Sequence, residues 1–119
     1  MIDLRGAGSV AVEPSAVLQV RRLGALPQAY SLAQNFPNPF NPATTIRYEL
    51  KDFGSVSLSI YDVSGQRIRQ LVDEHQQAGY YELEWDGRDA SGARVATGVY
   101  LYGLRAGDFR SVRKMVLMK

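Results

Sequence analysis

A chain of 119 residues is long enough for one domain and a short arm, and it can bury about two-thirds of the surface its unfolded form exposes. A hydrophobic share of 45%, a charged share of 22% and a net charge of +2 exclude wholesale disorder and give no electrostatic case for nucleic acid. With no cysteine, disulfides, thiol chemistry and zinc fingers are excluded as well.

In residues 1–30 the stretches "GSVAVEP" and "AVLQVRRL" each have the texture of a strand, and "GALPQA" reads as a linker. We assign residues 1–30 to an N-terminal arm, linker or end of a preceding domain, and residues 31–119 to the module that follows. No apolar run is long enough for a signal peptide, and none approaches a membrane span. Next comes "NFPNPFNPATT", from Asn35 to Thr45. Each proline fixes its own φ and pushes the preceding residue toward extended conformations, and Pro37, Pro39 and Pro42 cannot donate hydrogen bonds. Such a segment enters neither a central ladder nor a helix. It is predicted to be a stiff strap, pinned to the sandwich edge by Phe36 and Phe40, with Asn41 and Pro42 opening a type I turn.

Short strands separated by turn signals follow. "TTIRYEL" alternates Ile46, Tyr48 and Leu50 against Arg47 and Glu49, and "SVSLSIYD" alternates Val56, Leu58 and Ile60 against serines. "DVSGQ" supplies a turn at Ser64-Gly65, and "RIRQLV" reads as a strand that gives way to a polar loop after Val72. "YYELEW" puts Tyr81, Leu83 and Trp85 on one face and Tyr80, Glu82 and Glu84 on the other. The final stretch, "VYLYGLRAGDFRSVRKMVLMK", reads as two strands joined at "RAGD", where Gly107 can take a positive φ. No segment has a helical period with caps. The spacing predicts an all-β antiparallel sandwich of six or seven strands, with Ile46, Tyr48, Leu58, Ile60, Tyr81, Leu83 and Trp85 in its core.

Rival chemistries are thinly supplied. Asp86 and Asp89 in "WDGRDASG" offer oxygen ligands for calcium, but the third carboxylate and closing glutamate of an EF-hand loop are missing, so backbone caps are expected. His75 stands alone in a polar stretch, without the partners of a triad or a metal cluster. Glu82 and Glu84 resemble a glycosidase pair in spacing only, on what reads as a solvent face. No catalytic residues, cofactor or metal site are therefore expected. The aromatic residues Tyr80, Tyr81, Trp85, Tyr100 and Tyr102 carry the alternative, a carbohydrate-binding sandwich of a secreted enzyme. That reading requires several of the rings to lie exposed together.

The ordered fragments "LAQNFPNPFNPATTIRYEL", "LSIYDVSGQRIRQLV" and "AGYYELEWDGRDASGARVATGVYLYGLRAGDFRSVRKMVLMK" resemble the type A C-terminal sorting domain of the type IX secretion system. They are similar too to the immunoglobulin-like module of the flagellar hook-capping protein. The residues carrying the resemblance are Asn35, Pro37, Asn38, Pro39, Phe40, Asn41 and Pro42 of the strap, Asp62 and Gly65 of "DVSG", Trp85, Asp86 and Gly87 of "WDG", and Gly98 and Tyr100 of the "GVY" strand. The basic and apolar ending "KMVLMK" matches as well, whereas residues 1–30 fall outside the match. The resemblance implies an immunoglobulin-like β-sandwich of about seven strands, without catalytic activity. It implies a folded address on an N-terminally fused cargo, read by the outer-membrane translocon and then removed by a sortase-like protease, with the cargo joined to surface lipopolysaccharide. The cargo's route would run through the periplasm to the outer-membrane surface or beyond, its export signal lying at the far end of a longer precursor.

A receptor needs an exposed feature to read. Alternation places Met115 and Leu117 on one face of the last strand and Lys114, Val116 and Met118 on the other. At a sheet edge, the free backbone groups of this strand would pair with a partner strand. Arg113, Lys114 and Lys119 would orient an acidic partner. The expected recognition set is therefore Arg113, Lys114, Val116, Met118 and Lys119.

Overall fold

The computed structural model describes residues 26–118, so the strand candidates "GSVAVEP" and "AVLQVRRL", and Lys119, lie outside the described residues. Two-residue alternation of apolar side chains builds seven strands among those described, with no helix: β1 (Ser31–Leu32), β2 (Thr44–Leu50), β3 (Gly54–Asp62), β4 (Arg67–Gln76), β5 (Gly79–Trp85), β6 (Gly98–Ala106) and β7 (Phe109–Leu117). They form a three-stranded sheet in the order β1-β2-β5 and a four-stranded sheet in the order β4-β3-β6-β7, antiparallel throughout. This is the immunoglobulin-like β-sandwich the resemblance implied.

The inward phase of each strand fills the space between the sheets. Ile46, Tyr48 and Leu50 from β2 meet Val56, Leu58 and Ile60 from β3, Tyr102 and Leu104 from β6, and Met115 from β7, all buried. Full burial of such side chains contributes about 1.5–3 kcal/mol each relative to exposure. Trp85 closes one end of this core, with 0% of its surface exposed and its indole Nε1 donating to the Arg88 carbonyl at 2.9 Å.

Two expectations about the strands need correction. β4 does not yield to a loop after Val72 but continues to Gln76, pairing Glu74 with Val56, His75 with Ser55 and Gln76 with Gly54. The backbone ladder holds this polar run at the sheet edge, helped at its end by the Tyr48 hydroxyl, which donates to Gln76 Oε1 at 2.7 Å. His75 accordingly sits on a strand, its ring 5.7 Å from that of Phe53. Tyr81 and Leu83 are only half-buried, since β5 is the edge of the smaller sheet and its inward face is incompletely covered. Tyr81 instead lies flat against Tyr48, ring centroids 5.2 Å apart.

The sequence contains one turn twice. In "DVSGQ" the Asp62 carboxylate accepts from the Ser64 hydroxyl at 2.6 Å, the Ser64 amide at 2.9 Å and the Gln66 amide at 3.0 Å, while Gly65 takes a φ of 89°. In "DASGA" the Asp89 carboxylate does the same with the Ser91 hydroxyl at 2.6 Å, the Ser91 amide at 2.9 Å and the Ala93 amide at 3.1 Å, and Gly92 takes a φ of 90°. Hydrogen bonds from the serine hydroxyl, then from backbone amides, hold both carboxyls below the ordinary range. Asp86 accepts from the Arg88 amide at 3.2 Å and from Arg69 Nη1 at 3.3 Å. Both aspartates of "WDGRDASG" thus cap local structure.

Candidate recognition edge

The strap begins as part of the smaller sheet. β1 pairs Ser31 with Glu49 and Leu32 with Tyr48, and the Ala33 amide donates to the Arg47 carbonyl at 2.9 Å. Phe36 and Thr45 then exchange two backbone hydrogen bonds, of 3.0 and 2.9 Å. That pairing leaves the Phe36 ring outside the sandwich, 75% exposed, so the expectation that it pins the strap is overturned.

Polar side chains supply the donors that the prolines lack. Asn35, 2% exposed, donates through Nδ2 to Thr44 Oγ1 at 2.9 Å and to the Pro37 carbonyl at 3.2 Å, and accepts from Gln34 Nε2 at 2.7 Å. The Thr44 hydroxyl donates in turn to the same Pro37 carbonyl at 2.8 Å. Pro37, Pro39 and Pro42 each follow a cis peptide bond.

The middle of the strap crosses to the other sheet. Phe40 is 2% exposed, its ring centroid 5.8 Å from that of Trp85, which lies edge-on to Tyr100 at 5.8 Å. The Phe40 amide donates to the Val116 carbonyl and the Met118 amide donates to the Phe40 carbonyl, both at 2.9 Å. The Val116 amide donates to Asn38 Oδ1 at 2.9 Å, and Gln34 Nε2 donates to the Lys114 carbonyl at 2.7 Å. Further back, Arg113 Nε donates to the Leu32 carbonyl, the Tyr102 hydroxyl donates to the Ala33 carbonyl at 2.6 Å, and Tyr30 stacks on Phe109 at 5.4 Å. The segment from Tyr30 to Phe40 therefore runs along the open side of β7 and closes its end from Lys114 to Met118.

This geometry corrects the recognition mechanism expected for β7. The strand is a sheet edge, with Met115 and Leu117 inward and Lys114, Val116 and Met118 outward. Its backbone around Lys114, Val116 and Met118, however, is already hydrogen-bonded by the strap and is not free for a partner strand. Arg113 points into the seam toward β1, whereas the side chains of Lys114 and Met118 face solvent and Val116 is half-buried. Lys119 lies outside the described residues.

The remaining motif residues converge on the same end of the sandwich. Asp62 lies opposite Tyr100 and Gly98 opposite Leu117 in the larger sheet. Gly87, buried with a φ of 77°, leaves no room for a side chain: an added Cβ would lie 3.0 Å from the Pro42 carbonyl oxygen and 3.9 Å from Leu117 Cδ2. The "WDG" corner, the strap and the end of β7 are thus in contact. A shallow cleft beside them is lined by Asn41, Pro42, Arg94, Val95, Thr97 and Met118. The Tyr100 hydroxyl donates to the Ala96 carbonyl at 2.5 Å, and burial raises its pKa. Sequence reasoning missed one member of this assembly, Thr44, which the "ATT" after Pro42 leaves unmarked. It also read "DVSGQ" and "DASGA" separately, although their shared spacing was the signal that both form one kind of turn.

The rings proposed for sugar stacking do not form a platform. Trp85, Tyr100 and Tyr102 are buried and Tyr81 is half-buried, leaving Tyr80 as the exposed member, at 52%.

Among solved structures, the chain is similar to dimeric latent PorU from Porphyromonas gingivalis, with a TM-score of 0.58 and 21% identity over 80% of this chain and 10% of that one. It is similar to PorZ of the same organism, described as an essential bacterial surface component of the type-IX secretion system, with a TM-score of 0.51 and 21% identity over 77% of this chain and 12% of that one. It is also similar to FlgD from Xanthomonas campestris, whose structure concerns hook capping in flagellar assembly, with a TM-score of 0.52 and 24% identity over 73% of this chain and 65% of that one. The chain thus spans about a tenth of PorU and PorZ and just under two-thirds of FlgD, and at these identities the likeness is one of fold. No curated protein matches the sequence. The family model of the FlgD Ig-like domain matches residues 41–108, from the last turn of the strap to the β6–β7 hairpin. With more than half of its 119 residues under that match, the chain belongs to the FlgD Ig-like domain family.

Proposed function

We propose that residues 31–119 form a non-catalytic sorting domain that addresses an N-terminally fused, secreted cargo to the outer-membrane type IX translocon. A sortase-like protease then removes the domain and the cargo is attached at the cell surface. One observation carries the reading. The separate fragments of the resemblance, from the "NFPNPFNP" strap to the "KMVL" ending, meet at one end of the sandwich, where Pro37, Asn38, Pro39, Asn41 and Pro42 stand exposed over a buried joint. The likeness to PorZ, a type-IX component, supports the reading at the level of fold.

The test is export of an unrelated periplasmic passenger fused ahead of the chain, in a host with a type IX apparatus. Export is expected with the chain and not without it. Truncation from Lys114 is a poor variant, because it removes Met115 and Leu117 from the core and unseats Phe40. Lys114→Glu with Lys119→Glu is better, since both keep the apolar phase of the ending and a change at the exposed Lys114 shifts stability by no more than about 0.5 kcal/mol. Loss of export with normal melting implicates the cations. Normal export leaves the strap or another face of the module as the feature read. Retention of the unaltered fusion in the periplasm defeats the sorting function itself.

A further inference from the structure

With the end of β7, from Lys114 to Met118, closed by the strap, side chains are the feature left to recognise there, and the outer face of the four-stranded sheet stands out in two respects. First, it carries an apolar strip across three strands. Val99 pairs with Val116, Gly103 pairs with Val112, and Tyr61 lies beside Leu101. Val112 is 64% exposed, Val99 39%, and the other members are half-buried. Gly103 contributes no side chain, and a Cβ there would lie 3.5 Å from Val112 Cγ2 and 3.7 Å from Tyr61 Cε2, so the strip continues across it.

Second, Arg105 and Arg110 are directly opposite each other at one end of the strip, and Lys114 stands opposite Leu101. Like charges in direct cross-strand register destabilise a sheet. None of these cations has an ion-pair partner among the described residues. The outer face of the other sheet has the opposite sign: Glu49, Glu82 and Glu84 are accompanied by Arg47, which is paired with Glu82 at 3.5 Å.

We propose that the outer face of β3, β6 and β7 docks a protein partner presenting carboxylates beside an apolar patch, the carboxylates meeting Arg105 and Arg110 and the patch meeting Val112 and Leu101. An apolar centre with a charged margin is the anatomy of protein interfaces, and paired guanidinium groups suit carboxylates geometrically. The segregation of charge between the two sheets attracts such a partner to one face and repels it from the other. Were the sorting function correct, this would be the face the translocon reads, but the surface argument stands apart from it.

The test places a photo-crosslinking residue at position 112 of the full chain, carried as the passenger fusion in the type IX host, with position 82 on the opposite sheet as control. A discrete protein adduct is expected at 112 and not at 82, its cross-linked peptide rich in aspartate or glutamate. The purified partner should bind the chain with an affinity that falls as salt is added. Arg110→Glu converts a like-charged pair into an opposite one, so it should melt no lower than the parent while the adduct falls at least tenfold. Val112→Glu, without the cross-linker, should weaken binding of the purified partner at least tenfold. The proposal is overturned by no adduct at 112, by a lipid, polysaccharide or second copy of this chain as the sole adduct, by a contact peptide lacking acidic residues, or by an adduct that Arg110→Glu leaves unchanged. Wild-type export together with absence of the adduct refutes the docking face alone. An adduct formed without export refutes the sorting function alone.

Discussion

Replacing Phe40 by alanine removes a ring that is 2% exposed and lies 5.8 Å from Trp85. Loss of its burial costs about 1.5–3 kcal/mol, and the cavity left beside Trp85 raises the total to about 3–5 kcal/mol. The lower part of that range is expected, because the strap enters from the edge and can settle partly into the gap. A domain of this size has only about 5–15 kcal/mol of stability, so about a fifth or more would be lost. Phe36→Ala is the internal control: the same residue type in the same strap, but 75% exposed, with an expected change within about 0.5 kcal/mol. Urea melts of both variants measure the difference. Hydrogen exchange reports its location, since the Val116 and Met118 amides, bonded to Asn38 and Phe40, should exchange faster in Phe40→Ala. Equal losses in the two variants, or a Phe40→Ala loss under about 1 kcal/mol with both amides still protected, would refute the latch.

Gly87→Ala should lower stability by more than about 1 kcal/mol in the same melts, because a positive φ and the nearby Pro42 carbonyl both oppose a side chain. Asp62 and Asp89 favour the ionised form in the fold, their pKa values lying below the ordinary aspartate value of 3.8. Their contribution is therefore complete above that pH and is lost as pH falls through the lowered folded value. Asp62→Asn with Asp89→Asn keeps a capping side chain without the titration, so its acid-induced loss of stability below pH 3.8 should be shallower than the parent's. Parallel acid limbs would count against the two turns.

The interior was legible because burial against an opposing sheet enforces a period of two. Ile46, Tyr48, Val56, Leu58 and Ile60 each fell on the expected phase. Legibility failed at the edges, for one physical reason: an edge strand is specified by the backbone of its neighbour as much as by its own side chains. Residues Asp73 to Gln76 are polar, and the first three are exposed, yet β3 holds them as strand. Tyr81 and Leu83 have the right phase but too little cover. Within the strap, Phe36 and Phe40 are the same residue type among prolines and asparagines. Their opposite fates are decided by Thr45, which binds one backbone, and by Val116, which binds the other from far along the chain. No local pattern encodes that long-range choice. The closing of the β7 edge was missed for the same reason.

Phe40 is made early and its seat is made late. As the chain emerges, β2 through β6 exist before Met115 and Leu117 can complete the pocket, so the strap has nowhere to fasten until the last strand arrives. A fastened strap therefore certifies that everything between positions 40 and 116 is present and paired. A chain broken off within that interval leaves an aromatic ring and an unpaired strand edge in water, the kind of surface through which incomplete folds aggregate. A receptor that read the fastened end would be inspecting finished goods and ignoring fragments.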